Sequence, residues 1–301
     1  MRKWLYICSV LWLLTACHDD ALSIFDMKSP GVDERFWESV VYTANQRCAD
    51  TIYAHSEQYN VYVCTDSHLD TTTYNLRGFI KEYHADTLCP FAIHLGDYMR
   101  YKGGMGRIEE AYTDPTLHTS GKVDTAFFCL GNHDLFFTQW YYFKQLWHRS
   151  VYSFVVFTPS GARDEYICLD TAGGTLGAKQ LEWLKGLLAE IITQPVRHLI
   201  IYSHNNLFRM DNMSNDCSTL PLEETMMLLN LMRSYGVEQY WSGHDHCREV
   251  VNYMGTDCVV VDALDDANAD AGYMVVHVDA LNGLNIEFRH AYWSSVAGME
   301  K

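Results

Sequence analysis

The stretch Asn60-Val61-Tyr62-Val63-Cys64-Thr65-Asp66-Ser67-His68 decides how this chain folds. Its first six residues are rich in β-branched and aromatic side chains, which favours a short strand. At Asp66 the run turns polar, so a carboxylate and an imidazole stand two residues apart at the strand's end. The same event recurs down the chain. Phe91–Leu95 runs into Gly96-Asp97, and Ala126–Leu130 into Gly131-Asn132-His133-Asp134. Leu199–Tyr202 precedes His204, and Gln239–Trp241 precedes Gly243-His244-Asp245-His246. Carboxylates, imidazoles and one amide at the ends of successive strands can converge on one point, and that mixture suits borderline transition-metal ions.

Helical spacing separates several of these runs. Tyr74–His84 places Leu76, Phe79, Ile80 and Tyr83 on one face, and Leu176–Ile192 is a clear amphipathic helix. A Met- and Leu-rich helix is expected up to about Tyr235. Strands alternating with helices predict an α/β sheet. Val151–Phe157 and Glu165–Leu169 read as neighbouring strands joined by a Pro-Ser-Gly turn. Cys258–Val261, Met274–Val278 and Leu284–Phe288 close the chain, with Asn282-Gly283 as a hairpin turn. The strand-rich end adds a second sheet, giving a two-sheet β-sandwich flanked by helices, its site at the carboxyl ends of strands. Residues 58–301 are read as this domain and 18–57 as a tether and N-terminal segment, with a breaker at Ser29-Pro30-Gly31 and mixed helical spacing over Phe36–Ala54. Residues 102–122, rich in Gly and Thr, read as an excursion.

The first 17 residues are an export signal rather than fold. Arg2 and Lys3 precede an apolar segment, Trp4–Leu14, too short to span a bilayer as a free helix. Leu14-Thr15-Ala16-Cys17 then resembles the lipobox of bacterial lipoproteins, which implies lipidation of Cys17, a membrane partner and a place in the cell envelope. The alternative is an ordinary secretory leader cleaved near Ala16. His18-Asp19-Asp20 resembles signals that send lipoproteins to the outer membrane and the cell surface. The formal net charge of −16 disfavours nucleic-acid polymers as partners. It leaves room for a small phosphorylated substrate, because bound cations reverse the local sign. No Cys-x-x-Cys pair occurs; Cys64, Cys129 and Cys168 lie in strand-like runs and read as buried free thiols. Oligomeric state is not legible.

The five clusters, in their order and spacing, resemble the calcineurin-like metallophosphoesterase family over roughly residues 58–290. Leu169-Asp170-Thr171 through Gly177, Gln180, Leu181, Trp183 and Leu184 is similar to soluble bacterial members, including those acting on cyclic nucleotides. The resemblance implies that Asp66, His68 and His246 hold one metal ion, that Asn132, His204 and His244 hold a second, and that Asp97 bridges both. Manganese, iron or zinc would suit such ligands, with identity open. Two such cations about 3.5–4 Å apart share a hydroxide that attacks phosphorus in line. His133 is then the acid that protonates the leaving alkoxide, with Asp134 or a backbone carbonyl as its orienting partner.

One position departs from the family. Many phosphatases carry a second Asp where this chain has Arg100, and purple acid phosphatases carry a metal-binding Tyr there and lack the first-motif His. His68 is present and Tyr101 stands one residue late, so that branch is disfavoured. Arg100 is a candidate phosphate contact. Asn205, Asn206 and Arg209, which follow His204, are candidate substrate contacts. Asp245 and His94 read as supporting residues, and the Trp140, Tyr141, Tyr142, Phe143 and Trp147 cluster as core packing or a ring-stacking platform. The reading is a two-metal phosphoesterase, with diesters slightly favoured over monoesters. Its rival is a catalytically silent metal-binding scaffold on the same fold.

Overall fold

The computed structural model describes residues 29–46, 51–70, 72–99, 105–118, 121, 125–208, 220–279, 281 and 283–291. Cys17, Arg100, Arg209 and Asn282 lie outside the described residues, as do Cys48 and Cys217. The chain runs through α1 (Val32–Gln46), β1 (Thr51–Tyr53), β2 (Tyr59–Cys64), α2 (Tyr74–Ala85), β3 (Phe91–His94), α3 (Met105–Thr113) and β4 (Ala126–Phe128). It continues through α4 (Gln139–Trp147), β5 (Tyr152–Phe157), β6 (Arg163–Cys168), α5 (Ala178–Ile191), β7 (His198–Tyr202) and α6 (Leu222–Tyr235). Strands β8 (Gln239–Ser242), β9 (Glu249–Tyr253), β10 (Thr256–Val260), β11 (Gly272–Asp279) and β12 (Gly283–His290) complete it.

These strands make two sheets. One has the order β1-β5-β6-β7-β8-β10-β9, the other β12-β11-β2-β3-β4. Each has a parallel heart: β6 with β7 and β7 with β8 in the first, β2 with β3 and β3 with β4 in the second. Antiparallel partners flank both hearts, among them β11 on β2, with Val276 opposite Val61. The period-2 alternation decides which side chains enter the space between the sheets. Val61, Val63, Ile93, Phe154, Tyr166, Ile200, Trp241 and Val276 fill it. The residues between them point outward under helices. Tyr62, Ala92 and Val275 pack beneath α2, α3 and α4 through Phe79, Ile108 and Phe143. On the other sheet, Ile167, Leu199 and Tyr240 pack beneath α5 and α6 through Leu184, Leu188 and Leu228. The result is a four-layer sandwich, helices–sheet–sheet–helices. Each fully buried aliphatic or aromatic side chain contributes roughly 1.5–3 kcal/mol relative to exposure.

Two stretches that the sequence marks only weakly carry regular structure. The ordered fold starts well before residue 58. Arg35 on α1 is buried and donates to both carboxylate oxygens of Asp170, at 2.7 and 2.8 Å, and to the Pro30 carbonyl. Ser39 accepts from the Ser150 amide, and β1 adds a parallel edge strand to β5. The mixed helical spacing over Phe36–Ala54 marks part of this helix, and buried Arg35 and Ser39 break its apolar stripe. The stretch 102–122 likewise contains a helix, α3, whose Met105, Ile108, Ala111 and Tyr112 are buried. Cys64, Cys129 and Cys168 are free and buried, as expected. No helix among the described residues is long and apolar enough to cross a membrane.

Candidate metal centre

Every predicted ligand sits just past the carboxyl end of a parallel strand. Asp66 and His68 follow β2, Asp97 follows β3, Asn132 follows β4, His204 follows β7, and His244 and His246 follow β8. Five of the seven adopt left-handed backbone: Asp66 (φ 48°), His68 (40°), Asp97 (54°), His244 (71°) and His246 (54°). Such a conformation costs of order 1–3 kcal/mol for a residue with a side chain and persists where surroundings over-determine it. It turns each side chain back across the strand ends towards the others. The motif glycines allow this crowding. A Cβ on Gly131 would lie 2.1 Å from Asp97 Oδ1, and one on Gly243 would lie 1.9 Å from Thr65 Oγ1.

The side chains gather into overlapping groups. Asp66, His68 and His246 offer ligand atoms within 4.8 Å of one another, as do Asp97, His204 and His244, and His68, Asp97 and His133. His68 Nε2 and His246 Nε2 are 3.1 Å apart, and His246 Nε2 is 3.2 Å from Asp66 Oδ1. His204 Nε2 lies 3.0 Å from Asn132 Oδ1, 3.3 Å from Asp97 Oδ2 and 3.3 Å from His244 Nδ1. His204 Nδ1–H donates to the Leu95 carbonyl at 2.9 Å, which orients the ring with Nε2 facing the other donors. Imidazole nitrogens, carboxylate oxygens and one amide oxygen crowd together here at bonding distance, and His68 Nδ1 is left without a partner among the described residues. Cations between them satisfy the whole set, so the donors fit divalent metal ions.

Electrostatics agree. Burial disfavours charge on His204, but the adjoining Asp97 and Asp66 outweigh it and carry its pKa up to about 10. Burial opposes charge on Asp66 and Asp97 as well, yet the imidazoles around them hold both carboxyls below their ordinary range. His244 goes the other way, down to about 4, through burial and then the charge on His204. The centre is therefore a knot of opposite charges in which protons hold places suited to metal ions.

His133 stands at the rim. Its side chain is about one-fifth exposed, and Nε2 is 3.9 Å from Asp97 Oδ2. Asp134 does not orient it. That carboxylate accepts the backbone N–H of Asp97, Tyr98 and Gly131 at 2.9, 3.1 and 2.9 Å, tying the β3 and β4 loops together. No carbonyl serves either: His133 Nδ1 is buried without a hydrogen-bond partner among the described residues. The ring is held instead edge-on against His68 and tilted against Phe136, with centroids 4.8 Å away in both cases.

The expected substrate contacts after His204 are corrected in the same way. Asn205 is fully buried; its amide donates to Thr171 Oγ1, and its carbonyl accepts from Tyr240. Asn206 donates both amide hydrogens, to the Phe208 carbonyl and Asp245 Oδ2, and accepts from the Phe208 amide. Both fold the loop rather than face solvent, because a short polar loop at a buried strand end must satisfy its own backbone. Asp245 serves that loop, and His94 is a core residue held by Tyr112 and Cys64. In the aromatic cluster, Trp140 and Phe143 are core, whereas Tyr141 and Tyr142 are exposed. Thr65, the Leu95 carbonyl and Phe136 escaped the sequence reading, since nothing about a hydroxyl, a main-chain oxygen or an aromatic ring marks it as a ligand's support. A cavity of about 240 Å³ opens beside the centre, lined by Ser67, His68, Asp70, Thr72, Asp265 and Asp266.

The model of the calcineurin-like phosphoesterase family matches residues 59–248. No curated protein sequence matches the chain. Among solved structures, the purple acid phosphatase PPD1 of yellow lupin is similar at TM-score 0.59 and 16% identity, covering 79% of this chain and 52% of its own. GAP50, described as the anchor in the inner membrane complex of Plasmodium, is similar at TM-score 0.55 and 17% identity, covering 79% of this chain and 86% of its own. PhoD is similar at TM-score 0.54 and 10% identity, covering 79% and 70%. At such identities the likeness is one of fold. The family model spans more than half of the chain and both ends of the ligand set, from the strand before Asp66 to the residues just after His246, and the chain belongs to the calcineurin-like phosphoesterase family.

Proposed function

We propose that this protein is a two-metal phosphoesterase, with Asp97 as the carboxylate shared between the metals. One observation carries this reading: Asp97 belongs both to a group with His68 and to a group with His204 and His244. Asp66, His68 and His246 would hold one ion, and Asn132, His204 and His244 the other. When bound, such a pair supplies Lewis acidity at phosphorus and a nucleophile at neutral pH. Manganese, iron and zinc suit the mixed nitrogen and oxygen donors; magnesium prefers oxygen.

The chain's own residues then divide the remaining work. His204 keeps its Nε2 inward through the bond to Leu95. The Asp134 carboxylate holds the two ligand loops at fixed separation. His133 stands at the solvent rim, its Nε2 3.9 Å from Asp97 Oδ2, placed to serve as the acid that protonates a leaving alkoxide. A phosphodiester is favoured because the described residues around the centre carry carboxylates rather than the cationic clamps that suit a dianionic monoester. Lipidation at Cys17, placing the domain at the outer membrane of a bacterial envelope, completes the proposal.

The test compares bis-p-nitrophenyl phosphate with p-nitrophenyl phosphate in the presence of manganese, iron or zinc, with Asp97→Asn as control. Metal-dependent turnover lost in the variant supports the enzyme, and the faster ester names the class. Two bound metals per chain without turnover of any ester would favour the silent scaffold. Incorporation of labelled palmitate, abolished by Cys17→Ala, tests the anchor.

A further inference from the structure

We propose that Thr65 is a positioning residue that selects which oxygen of Asp66 faces the metal centre, and so sets the affinity of the Asp66–His68–His246 site. This rests on the two-metal reading above. The two oxygens of Asp66 have opposite fates. Oδ1 looks into the centre, 3.2 Å from His246 Nε2 and 3.7 Å from His68 Nε2. Oδ2 looks away and accepts two hydrogen bonds, from Thr65 Oγ1 at 2.6 Å and from the His244 amide at 2.8 Å. Asp66 is fully buried, so no water replaces a lost donor. A short hydroxyl–carboxylate bond in such surroundings is among the stronger hydrogen bonds a side chain makes.

Thr65 is itself held in place. Its carbonyl accepts from the Leu264 amide, its backbone bridges to Ala263, and it is only 2% exposed. Gly243 presses on the hydroxyl so closely that a Cβ there would lie 1.9 Å from Oγ1 and 2.5 Å from Asp66 Oδ2. The absence of a side chain at Gly243 and the hydroxyl at Thr65 thus make one device. Without the hydroxyl, Oδ2 keeps one donor, the His244 amide, and the carboxylate gains freedom to turn. His244 belongs to the other donor group, so the remaining bond still links Asp66 to that half of the centre but does not fix the turn of its carboxylate.

The experiment uses the full chain, stripped of metal and titrated calorimetrically with manganese, in wild type, Thr65→Val, Thr65→Ser and Thr65→Ala. Metal content after gel filtration and the melting temperature of each metal-free form are read in parallel. Wild type should take up two ions. Thr65→Val should keep one tight ion and bind the other about 10–100-fold more weakly, the usual effect of removing a support behind a ligand. Thr65→Ser should restore both, while the metal-free melting temperatures of Val and Ser stay together. If Val disturbs packing, the Ala and Ser pair carries the same comparison. Wild-type affinity at both sites in the Val and Ala variants, or weakening in Ser equal to that in Val, would overturn the inference and leave the two-metal reading standing. A wild-type chain that binds no ion would overturn both.

Discussion

The two ends of the sandwich handle buried charge in opposite ways. At the amino ends of the strands, Arg197 donates to both oxygens of Asp164 and to the Glu57 carbonyl. Tyr59 donates to Asp164 and meets Tyr166 at 2.9 Å. Each charge there has an opposite partner and each hydroxyl a bond. At the carboxyl ends, imidazoles face imidazoles at 3.1 and 3.3 Å on strained backbone. At the first end the charges of Arg197 and Asp164 answer one another; at the second the donors gather in a set that suits divalent cations. A fold's stability and its chemistry can therefore be read from where its polar groups are and are not self-sufficient.

The sharpest way to break this contrast is Asp97→Asn. It should lower ester hydrolysis by more than about 10³-fold and reduce metal content, because the shared charge between the two groups is lost. His133→Gln should lower turnover by about 10²–10⁴-fold with metal content unchanged. The loss should be larger for an alkyl ester than for a p-nitrophenyl ester, whose leaving group needs no proton. At the other end, Asp164→Asn should lower unfolding free energy by about 3 kcal/mol or more, since it strands Arg197, while manganese affinity stays put. Chemical denaturation and calorimetry together check that separation.

A pH series sharpens the contrast further. His204 holds a proton up to about pH 10 in the metal-free chain, and binding must displace it. Metal affinity should rise by up to about tenfold per pH unit from neutrality towards that value, with proton release seen in buffers of different ionisation enthalpy. The sign for stability is the reverse. A raised histidine pKa contributes stability that is full below its ordinary 6.5 and lost as pH climbs through about 10. Asp66 and Asp97, lowered from 3.8, contribute above that value and lose it on acidification. The metal-free chain should therefore melt at progressively lower temperature as pH rises from 6.5 towards 10, and the loaded chain should not. The smallest effect is expected for Phe136→Leu: roughly a 2–10-fold drop in kcat, because a ring contact orients His133.

The ligand set was legible because strands announce themselves by β-branched runs and their ends by Gly, Asp and His. The runs and their polar ends mark where the clusters stand, and the resemblance to the family picks the seven candidate ligands from them; the structure gathers their side chains at one place. Their neighbours were misread for a common reason. Asp134, Asn205 and Asn206 look like chemistry because they are polar and adjacent to ligands, but three or more ligand loops packed against one another leave backbone N–H groups that need acceptors. Asp134 supplies three of them with a partner. The spacing of helix α1 was partly legible, but its docking was not, because Arg35 meets Asp170 135 residues away, beyond any local pattern. Short α3 was masked by the glycines around it.

The place of β11 has a consequence in time. This strand, Gly272–Asp279, completes its sheet by lying against β2, across about two hundred residues of chain. The half of the centre carried by β2 cannot be finished until the last strands exist. Pairing at such separation is slow, because loop closure must precede any reward. Asp66 and His68 thus follow a strand whose outer partner is made some two hundred residues later.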